Sequence, residues 1–429
     1  MPSNSEIKKL IDEWGKWASS LKEKRFKREA IDAKFIANNA IALIGVRRSG
    51  KTYYAIELAE TILKKKEKYL YINFEDPYFI DNNTTAELDR AIEVFTEYEL
   101  DEPELLIFDE IQNIDSWERW IRKQIDLNKY QIIVTGSSAK LLSSDIASSL
   151  TGRSISYKVY PLSFSEFLKF KQNDHDLSEN EYLAYLKKYI TEGGFPEPTL
   201  TKGKQNKIRG LRSYFEDILH KDIVNRYSIR NSKNLYLIAN YYLTNPSSLH
   251  SSHSVKKALN INAETVADYS QYLKDAFLIF GIDRYHPNLK VQTRDAQKIY
   301  VIDTGLRHAI ARSVSEDLGK LIENIVFIEL LRRNKEIYYY KENQEVDFII
   351  TENFKAKQAI QVCFADMKNE TTYQREIQAL LECLDKLKLK EGLILTKNRE
   401  EKLKIGSKKI NMVPVYKWLL RQQQVVLLS

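Results

Sequence analysis

The sequence has very few cysteines and no long apolar run. Only Cys363 and Cys383 occur among 429 residues, so neither a disulfide framework nor a zinc cluster is expected. No stretch approaches the roughly 18 apolar residues that span a bilayer. The first residues predict a charged amphipathic helix without the apolar core of a signal peptide. These absences predict a protein of the reducing cytoplasm with no membrane segment.

Internal repeats and low-complexity linkers are lacking as well, whereas charge is abundant. The length predicts roughly two to four domains, and 43% hydrophobic with 29% charged residues is typical of a folded chain. Residues 386–409 hold nine Lys or Arg against three Glu, which nearly accounts for the net charge of +7. This basic segment predicts a solvated surface or, as the weaker alternative, a contact with nucleic-acid phosphates or an acidic partner.

Glycine is scarce too, with 14 residues in the chain, so one glycine-bounded pattern is informative. The apolar residues 41–44 predict a strand, which is followed by G-V-R-R-S-G-K-T and by apolar residues at helical spacing. In this phosphate-binding pattern, glycines let backbone N–H groups surround phosphate oxygens. Lys51 adds positive charge, and the Thr52 hydroxyl ligates Mg²⁺. The residues predicted to contact ATP are Gly45, Arg47, Arg48, Ser49, Gly50, Lys51, Thr52 and Tyr53.

A second part of the predicted nucleotide site includes Asp109, which lies 58 residues after Lys51. The apolar residues 105–108 predict a buried strand that ends in Asp109 and Glu110. Asp109 is placed to hold Mg²⁺ together with Thr52, and Glu110 is placed to activate water as general base. We therefore predict that Lys51 and Glu110 are catalytic and that Asp109 is a metal ligand.

A third strand is predicted by Y-Q-I-I-V-T-G-S-S. In P-loop folds with an additional strand this strand lies between the other two, so Ser137 or Ser138 is the expected polar sensor of the γ-phosphate. Arg153, in a Thr-Gly-Arg turn, predicts a catalytic arginine that stabilises phosphoryl charge in its own or a neighbouring chain. The alternative for Arg153 is a structural arginine bound to a carboxylate. Glu75 and Asp76 end another predicted strand and are expected to be structural.

These motifs together resemble a known protein family. G-x-R-R-x-G-K-T, F-D-E-I-Q-N-I, T-G-S-S-A-K-L-L, L-T-G-R, Y-P-L-S-F-S-E-F and G-G-F-P-E-P occur in that order. They look like the archaeal and bacterial AAA-related P-loop ATPases of the STAND/MNS type, which carry a C-terminal domain of unknown function. The resemblance implies an α/β protein with four parts. They are a P-loop ATPase core with a parallel sheet and an N-terminal helix (1–160), a helical lid (161–235), a winged helix (236–315) and an α/β restriction-endonuclease-like domain (316–429).

The predicted winged helix has an unfavourable charge for DNA. A helix break at 260–262 separates two short helices, as in a helix-turn-helix. A DNA-reading second helix usually presents Arg, Lys, Asn or Gln to base edges. This one carries the three acids Glu264, Asp268 and Asp275 against the single cation Lys274. We therefore expect a structural role or a protein contact.

The C-terminal segment retains only part of a nuclease site. In active relatives of the restriction-endonuclease fold, a helix Glu, a strand-end Asp and an acid-x-Lys pair meet at one metal ion. Glu323 and Asp347 match this pattern, whereas Gln361 and Cys363 replace the required acid and lysine. Residues 335–350 predict a hairpin with Lys341 and Asp347 near its ends, and Lys341 is the candidate to replace the missing cation. Because metal-assisted cleavage needs both groups, we expect this domain not to cut nucleic acid.

The combined prediction is an Mg²⁺-dependent ATPase whose hydrolysis of ATP to ADP changes the conformation of its C-terminal domains. One alternative is an ATP-regulated protein that binds or processes DNA. Another is an interaction switch that binds ATP tightly and turns over slowly. A protein partner is expected, DNA is the more weakly supported partner, and the sequence leaves the oligomeric state open.

Overall fold

The computed structural model describes most of the chain. The described residues are 4–21, 28–29, 33, 39–63, 68–138, 153–171, 177–288, 292, 295–311, 317–364 and 370–421. They form two compact units, Met1–Tyr160 with Asp275–Phe277 and Pro161–Lys274 with Leu278–Ser429. Among the described helices, none is both long enough and apolar enough to cross a membrane.

The first unit contains a five-stranded sheet with helices. Its strands are β1 (Ala40–Ile44), β2 (Tyr69–Asn73), β3 (Leu105–Asp109), β4 (Gln131–Gly136) and β5 (Ser154–Lys158). Its helices are α1 (Asn4–Ser20), α2 (Lys51–Ile62), α3 (Thr85–Glu99) and α4 (Trp117–Asp126). The strands lie in the order β2-β3-β4-β1-β5, and all neighbours pair in parallel. The predicted parallel sheet is confirmed, and β4 lies between β1 and β3 as expected.

Parallel pairing brings the ends of these strands to one edge. Gly136 lies beside Ile44, and Asp109 lies beside Asn73. Strands β1 and β3 are buried along their whole length, as expected for apolar strands covered on both faces. The carboxyl edge of the sheet therefore holds the loop after β1, the acids after β3 and the serines after β4.

Helix α1 packs aromatic side chains onto β2. Trp17 stacks on Tyr71 with ring centroids 5.7 Å apart, and Trp14 meets these two rings edge-on at 5.3 and 6.0 Å. The indole N–H of Trp14 donates to Asp76 Oδ2 at 3.0 Å, and Asp76 also caps the turn that follows β2. These contacts give Asp76 a structural role, as predicted, and fix α1 against the sheet.

The second unit begins with a helical segment. Its helices are α5 (Phe164–Phe170), α6 (Glu179–Glu192), α7 (Pro196–Leu200), α8 (Lys204–Asp217), a π-helical continuation (Ile218–Val224) and α9 (Lys233–Thr244). Ser163 and Glu166 form a capping box at the start of α5, each side chain bonding the other's backbone N–H. The amphipathic pattern of this segment therefore predicted its helices correctly.

Two short helices and a small antiparallel sheet follow. They are β6 (Ser248–His250), α10 (Ser252–Leu259), α11 (Ala263–Asp275), β7 (Ile279–Ile282) and β8 (Gln297–Val301). Asn260 ends α10 in the left-handed conformation, with a φ of 55°. Strand β8 is central and pairs with both β6 and β7. The two helices match the predicted elements, and the assignment of this region as a winged helix stays a prediction.

The last region is an α/β arrangement with a six-stranded sheet. Its helices are α12 (Thr304–Ile310), α13 (Leu318–Arg332), α14 (Glu370–Lys386) and α15 (Val415–Leu420). Its strands are β9 (Glu336–Lys341), β10 (Glu345–Glu352), β11 (Lys355–Cys363), β12 (Glu391–Thr396), β13 (Glu401–Ile405) and β14 (Lys408–Pro414). The order is β13-β14-β12-β11-β10-β9, with β11, β12 and β14 parallel. Helix α13 is buried from residue 321 to residue 330, so it forms part of the core.

Asp303 connects the end of β8 to the helical segment. Its Oδ2 accepts from the Gly194 N–H at 2.6 Å, and its Oδ1 accepts from the Leu306 N–H at 2.7 Å, which caps α12. Gly193 has a φ of 75°, and a Cβ there would lie 2.1 Å from Asp303 Oδ1. The close approach therefore requires glycine in the G-G-F-P-E-P motif.

Candidate nucleotide-binding site

The loop between β1 and α2 has the backbone that its glycine pattern predicts. Gly45 approaches Val159 so closely that a Cβ would lie 2.2 Å from the Val159 carbonyl oxygen. Gly50 has a φ of 98° and immediately precedes α2. Both positions therefore require glycine. The loop places the N-terminus of α2, whose free N–H groups favour anions, at the carboxyl edge of the sheet.

Lys51 extends its side chain into this loop. Its ammonium donates to the carbonyl oxygens of Gly45 at 3.2 Å and Val46 at 3.3 Å, and it lies 3.4 Å from Glu110 Oε1. The side chain is only 4% exposed. These distances are long for contacts of an ammonium, which usually measure about 2.7–2.9 Å with a carboxylate. The cation is therefore enclosed by the loop but held loosely.

Asp109 accepts hydrogen bonds from three hydroxyl groups. Thr52 and Tyr71 donate to its Oδ2 at 2.8 and 3.0 Å. Thr135 donates to its Oδ1. Burial, together with the neighbouring charge of Glu110, raises the pKa of Asp109 to about 6. The two residues that the sequence predicts as metal ligands, Thr52 and Asp109, are thus in direct contact.

Glu110 has a left-handed backbone conformation, with φ 53° and ψ 47°. Its N–H donates to the Thr135 hydroxyl at 3.1 Å, and its Oε2 accepts from Gln112 at 2.6 Å. Burial by itself would raise the pKa of Glu110, but the charges of Lys51 and Arg47 outweigh burial and lower it to about 2. The carboxylate is therefore ionised and fixed at one oxygen, while Oε1 faces Lys51.

The other predicted loop residues differ in exposure. Arg47 is buried and pairs with Glu75 at 2.5 Å, so Glu75 supports the loop from the end of β2. Arg48 and Tyr53 are exposed. Ser49 is fully buried, and its hydroxyl has no hydrogen-bond partner among the described residues. Because buried polar groups are nearly always paired, this hydroxyl marks a place for a polar ligand.

The serines after β4 lie at the same edge as the loop. The Gly45 N–H donates to the Gly136 carbonyl at 3.3 Å, and Ser137 and Ser138 follow directly, both buried. The role of Ser137 or Ser138 as sensor of the γ-phosphate stays a prediction. In β4, however, Thr135 is the residue whose hydroxyl donates to Asp109 and accepts from the Glu110 N–H.

Arg153 lies at the opposite edge of the sheet. Its carbonyl accepts from the Ala40 N–H at 2.8 Å, at the start of β1, and its Nε is 2.6 Å from Asp126 Oδ1. At about 3.3 Å per residue, β1 places at least roughly 13 Å between this edge and the phosphate loop. Within one chain, the structure therefore favours the structural alternative for Arg153. Residues 151–152 of the predicted turn lie outside the described residues.

Several contacts of the site come from residues that were not predicted from the sequence. They are Arg28, Tyr71, Gln112 and Thr135. Arg28 donates to the carbonyl oxygens of Ser49 at 2.9 Å and Tyr160 at 3.0 Å. A site role for Thr135 could have been predicted, because it is a hydroxyl residue at the end of the strand that leads to Ser137. Arg28 and Tyr71 lie outside any motif.

These side chains fit Mg²⁺ and a nucleoside triphosphate. Mg²⁺ is bound by oxygen ligands in proteins, usually one or two carboxylates with substrate phosphates and water. Asp109 and Thr52 supply such oxygens at 2.8 Å from each other. Lys51 and the N-terminus of α2 supply positive charge for phosphate, and the hydroxyl of Ser49 is a buried polar group without a partner among the described residues.

The acids of the C-terminal nuclease pattern also come together. Glu323 on α13 and Asp347 on β10 are both 2.9 Å from the ammonium of Lys298, a residue that the sequence analysis did not select. Lys341 instead pairs with Glu345 at 3.5 Å and is half exposed. The proposal of Lys341 as the replacement cation is therefore wrong, because Lys298 of β8 holds that position.

Gln361 and Cys363 contribute to packing around β11. Gln361 Oε1 accepts from the Asp347 N–H at 3.2 Å, and its amide donates to Glu376 Oε2 at 2.8 Å. Cys363 is 5% exposed and lies in the apolar core of this region. Gln361 thus forms hydrogen bonds through both the oxygen and the nitrogen of its amide, and Cys363 is a buried thiol.

Three family models match successive parts of the chain. Residues 37–168 match the AAA domain family. Residues 183–317 and 318–418 match two families described as domains of unknown function, DUF8612 and DUF4143. The first match agrees with the parallel sheet, the phosphate loop and the acids Asp109 and Glu110, so this part of the N-terminal unit is similar to P-loop domains of the AAA type.

Two relatives match nearly the whole chain. The uncharacterized protein MJ1544 of Methanocaldococcus jannaschii is 37% identical over 412 residues, which cover 91% of this chain and 90% of the relative. An uncharacterized protein of Haemophilus influenzae is 31% identical over 393 residues, which cover 88% of this chain and 93% of the relative. The chain belongs to the protein family that these two relatives represent.

Likeness to solved structures is distant. The Aeropyrum pernix ORC1 protein in complex with DNA has a TM-score of 0.31 at 12% identity, covering 72% of this chain and 92% of that chain. AMPPCP-bound DnaA from Aquifex aeolicus has a TM-score of 0.26 at 18% identity, covering 55% and 81%. Likenesses at this level carry no conclusion about function.

Proposed function

We propose that this protein binds ATP with Mg²⁺ at the loop 45–52 and hydrolyses it, and that hydrolysis changes the conformation of its C-terminal domains. The main support is the direct contact between the loop and the acid pair. Thr52 touches Asp109 at 2.8 Å, and Lys51 lies 3.4 Å from Glu110. The match of residues 37–168 to an AAA domain supports the same activity.

The contacts of each residue suggest its role in hydrolysis. Lys51 and the N–H groups of the loop bind phosphate oxygens, and Lys51 thereby exchanges its loose contact with Glu110 for a stronger one. Gln112 holds Glu110 Oε2, so Oε1, once Lys51 has turned to the phosphates, is the oxygen that accepts the proton of the attacking water. Thr52 and Asp109 hold Mg²⁺, which when bound neutralises charge on the phosphates.

The distribution of acids on α11 supports a protein partner over DNA. Glu264 and Asp268 are exposed on this helix. The cation that could offset them, Lys274, donates its ammonium to Gln297 Oε1 at 2.6 Å and is therefore engaged on the protein. An acidic helix surface repels phosphate and favours a basic protein surface.

The basic segment 386–409 is partly neutralised by its own neighbours. Its residues Lys408, Lys409 and Arg399 form ion pairs at 2.9, 3.1 and 2.7 Å. Their partners are Asp385, Glu391 and Glu401. These pairs support the interpretation as a solvated surface.

Steady-state phosphate release from the full-length protein tests the proposal. We expect turnover that requires Mg²⁺ and is unchanged by double-stranded or single-stranded DNA. Strong stimulation by DNA would instead support the DNA-processing alternative. Tight ATP binding in calorimetry with negligible turnover would support the interaction switch. Absence of nucleotide binding would overturn all three.

A further inference from the structure

Lys298 lies inside a cage of carboxylates in the second unit. Its ammonium is 2.9 Å from one oxygen of each of three acids, and its side chain is only 3% exposed. The acids are Glu323 on α13 and Glu345 and Asp347 on β10. The lysine itself comes from β8, the central strand of the three-stranded sheet. The three-stranded and six-stranded sheets are therefore joined through one buried cation.

Two acids of the cage are those that the nuclease pattern assigns to a metal ion. Both are oriented by further hydrogen bonds. The Tyr300 hydroxyl donates to Glu323 Oε1 at 2.7 Å, and the Val362 N–H donates to Asp347 Oδ2 at 2.9 Å. The acids thus converge on a single point, which the nitrogen of Lys298 occupies.

The charge of the cage calls for a cation at this point. Three carboxylates converge on one ammonium, and buried like charges are strongly unfavourable without a counter-ion. Lys341 also pairs with Glu345, the partly exposed acid of the cage, at 3.5 Å, so Lys298 is the cation that faces the two buried acids Glu323 and Asp347. A divalent cation is the other chemical class that carboxylate oxygens converging on one point accept.

We infer that the cage of Glu323, Glu345 and Asp347 is a divalent-cation site closed by an internal cation, and that it accepts Mg²⁺ or Mn²⁺ only when Lys298 is withdrawn. The ammonium and a hard divalent cation compete for the same carboxylate oxygens. Within the described ranges, no group of three His, Cys, Asp or Glu side chains is arranged to hold a metal ion as the chain stands. Lys298 thus keeps the acids from metal and fastens β8 to its neighbours.

The strand that carries Lys298 is anchored at its far end. Two residues along β8, Tyr300 stacks on Phe327 of α13 with ring centroids 4.0 Å apart. Shortly after β8, Asp303 accepts from the Gly194 N–H of the helical segment at 2.6 Å. These two contacts fix the position of β8, and with it the position of Lys298 in the cage.

Three proteins test this inference in the absence of nucleotide. They are the wild type, Lys298→Met, which removes the charge at similar length, and Lys298→Arg, which keeps the charge. Each is titrated with Mn²⁺, with bound ions counted by electron paramagnetic resonance and thermal unfolding followed in parallel. We expect Lys298→Met to bind one additional ion per chain and to gain thermal stability from Mn²⁺, whereas the other two do neither. Adding Asp347→Asn to Lys298→Met should remove both effects.

Two results would overturn the inference. One is a folded Lys298→Met protein that binds no additional Mn²⁺. The other is a wild type that binds an Mn²⁺ ion lost in Asp347→Asn, because the acids would then hold metal with the lysine in place. If Lys298→Met does not fold, the triple variant with Glu323→Gln and Asp347→Asn removes the opposed charges together. Its folding supports the role of Lys298 as counter-ion, and its failure to fold overturns that role.

Discussion

Lys51 in the first unit and Lys298 in the second are both buried beside acids, but their surroundings differ. Lys51 contacts two carbonyl oxygens at 3.2 and 3.3 Å and one carboxylate at 3.4 Å. Lys298 contacts three carboxylates, all at 2.9 Å. Lys51 can exchange its contact with Glu110 for one with phosphate at little cost in free energy, whereas Lys298 would lose its contacts with three carboxylates. Burial alone therefore does not define the role of a lysine; the number, charge and length of its contacts do.

The largest expected effect is at the loosely held lysine. Lys51→Ala should abolish nucleotide binding, because the fixed charge at the phosphates is lost. Glu110→Gln should retain binding and lose hydrolysis by about 10²–10⁴-fold, since general-base catalysis contributes about that much. Calorimetry and phosphate release measure the two effects, with Glu104→Gln, an exposed acid just before β3, as the matched control. Unchanged turnover in Glu110→Gln would remove the proposed base.

Replacing each lysine by methionine compares the stability that the surroundings of Lys51 and of Lys298 contribute. Lys298→Met should lower the free energy of unfolding by about 3–5 kcal/mol, the usual loss when one partner of a buried ion pair is removed. Lys51→Met should cost only roughly 1–3 kcal/mol, because Glu110 retains its hydrogen bond from Gln112. Urea unfolding in the presence of a chelator measures both. Equal losses of unfolding free energy would show that Lys51 and Lys298 are held equally firmly.

The cage around Lys298 also predicts a dependence of stability on pH. Burial, followed by the charge of Asp347, raises the pKa of Glu323 from 4.5 to about 8 in the folded protein. Its contribution to stability is complete below the unfolded pKa and is lost as pH rises through about 8. Unfolding free energies should fall by at most about 1.4 kcal/mol per pH unit from this group between about pH 5 and 8, and this fall should level off above pH 8. Glu323→Gln should flatten this part of the profile, and a stability that rises with pH in this window would contradict the assignment.

The smallest expected effect is at Arg153, on the edge of the sheet away from the loop. Arg153→Ala removes a partly exposed ion pair with Asp126 and should cost about 0.2–1 kcal/mol, with turnover unchanged. Thermal unfolding and phosphate release check both statements. A large fall in turnover would assign the arginine to the site of a neighbouring chain. Recovery of activity on mixing with Lys51→Ala would then demonstrate that arrangement.

The sequence predicted the parts of the molecule that depend on local patterns. The phosphate loop is one, since the glycine spacing, the strand before it and the helix after it are adjacent in the chain. The paired helices α10 and α11 are another, because Asn260 marks the break between them. The capping box of Ser163 and Glu166 is a third. Each depends on residues that lie close together in the chain.

Contacts between distant elements could not be predicted in the same way. Lys298 is 49 residues from Asp347, and Tyr71 is 38 residues from Asp109. A lysine in a short strand usually indicates a solvated edge, and only the packing of two sheets turns it inward. The sequence revealed that the nuclease pattern lacked its lysine, but the register that places another lysine there is a property of the fold.

The aromatic contacts of α1 connect a tryptophan, whose fluorescence can be measured, to the nucleotide site. Trp17 stacks on Tyr71, and the Tyr71 hydroxyl donates to Asp109 Oδ2 at 3.0 Å. A cation held by Asp109 competes for the oxygen that Tyr71 contacts, so the ring beneath the indole has to adjust. We therefore expect the emission of Trp17 in the unlabelled protein to change when a cation occupies the site.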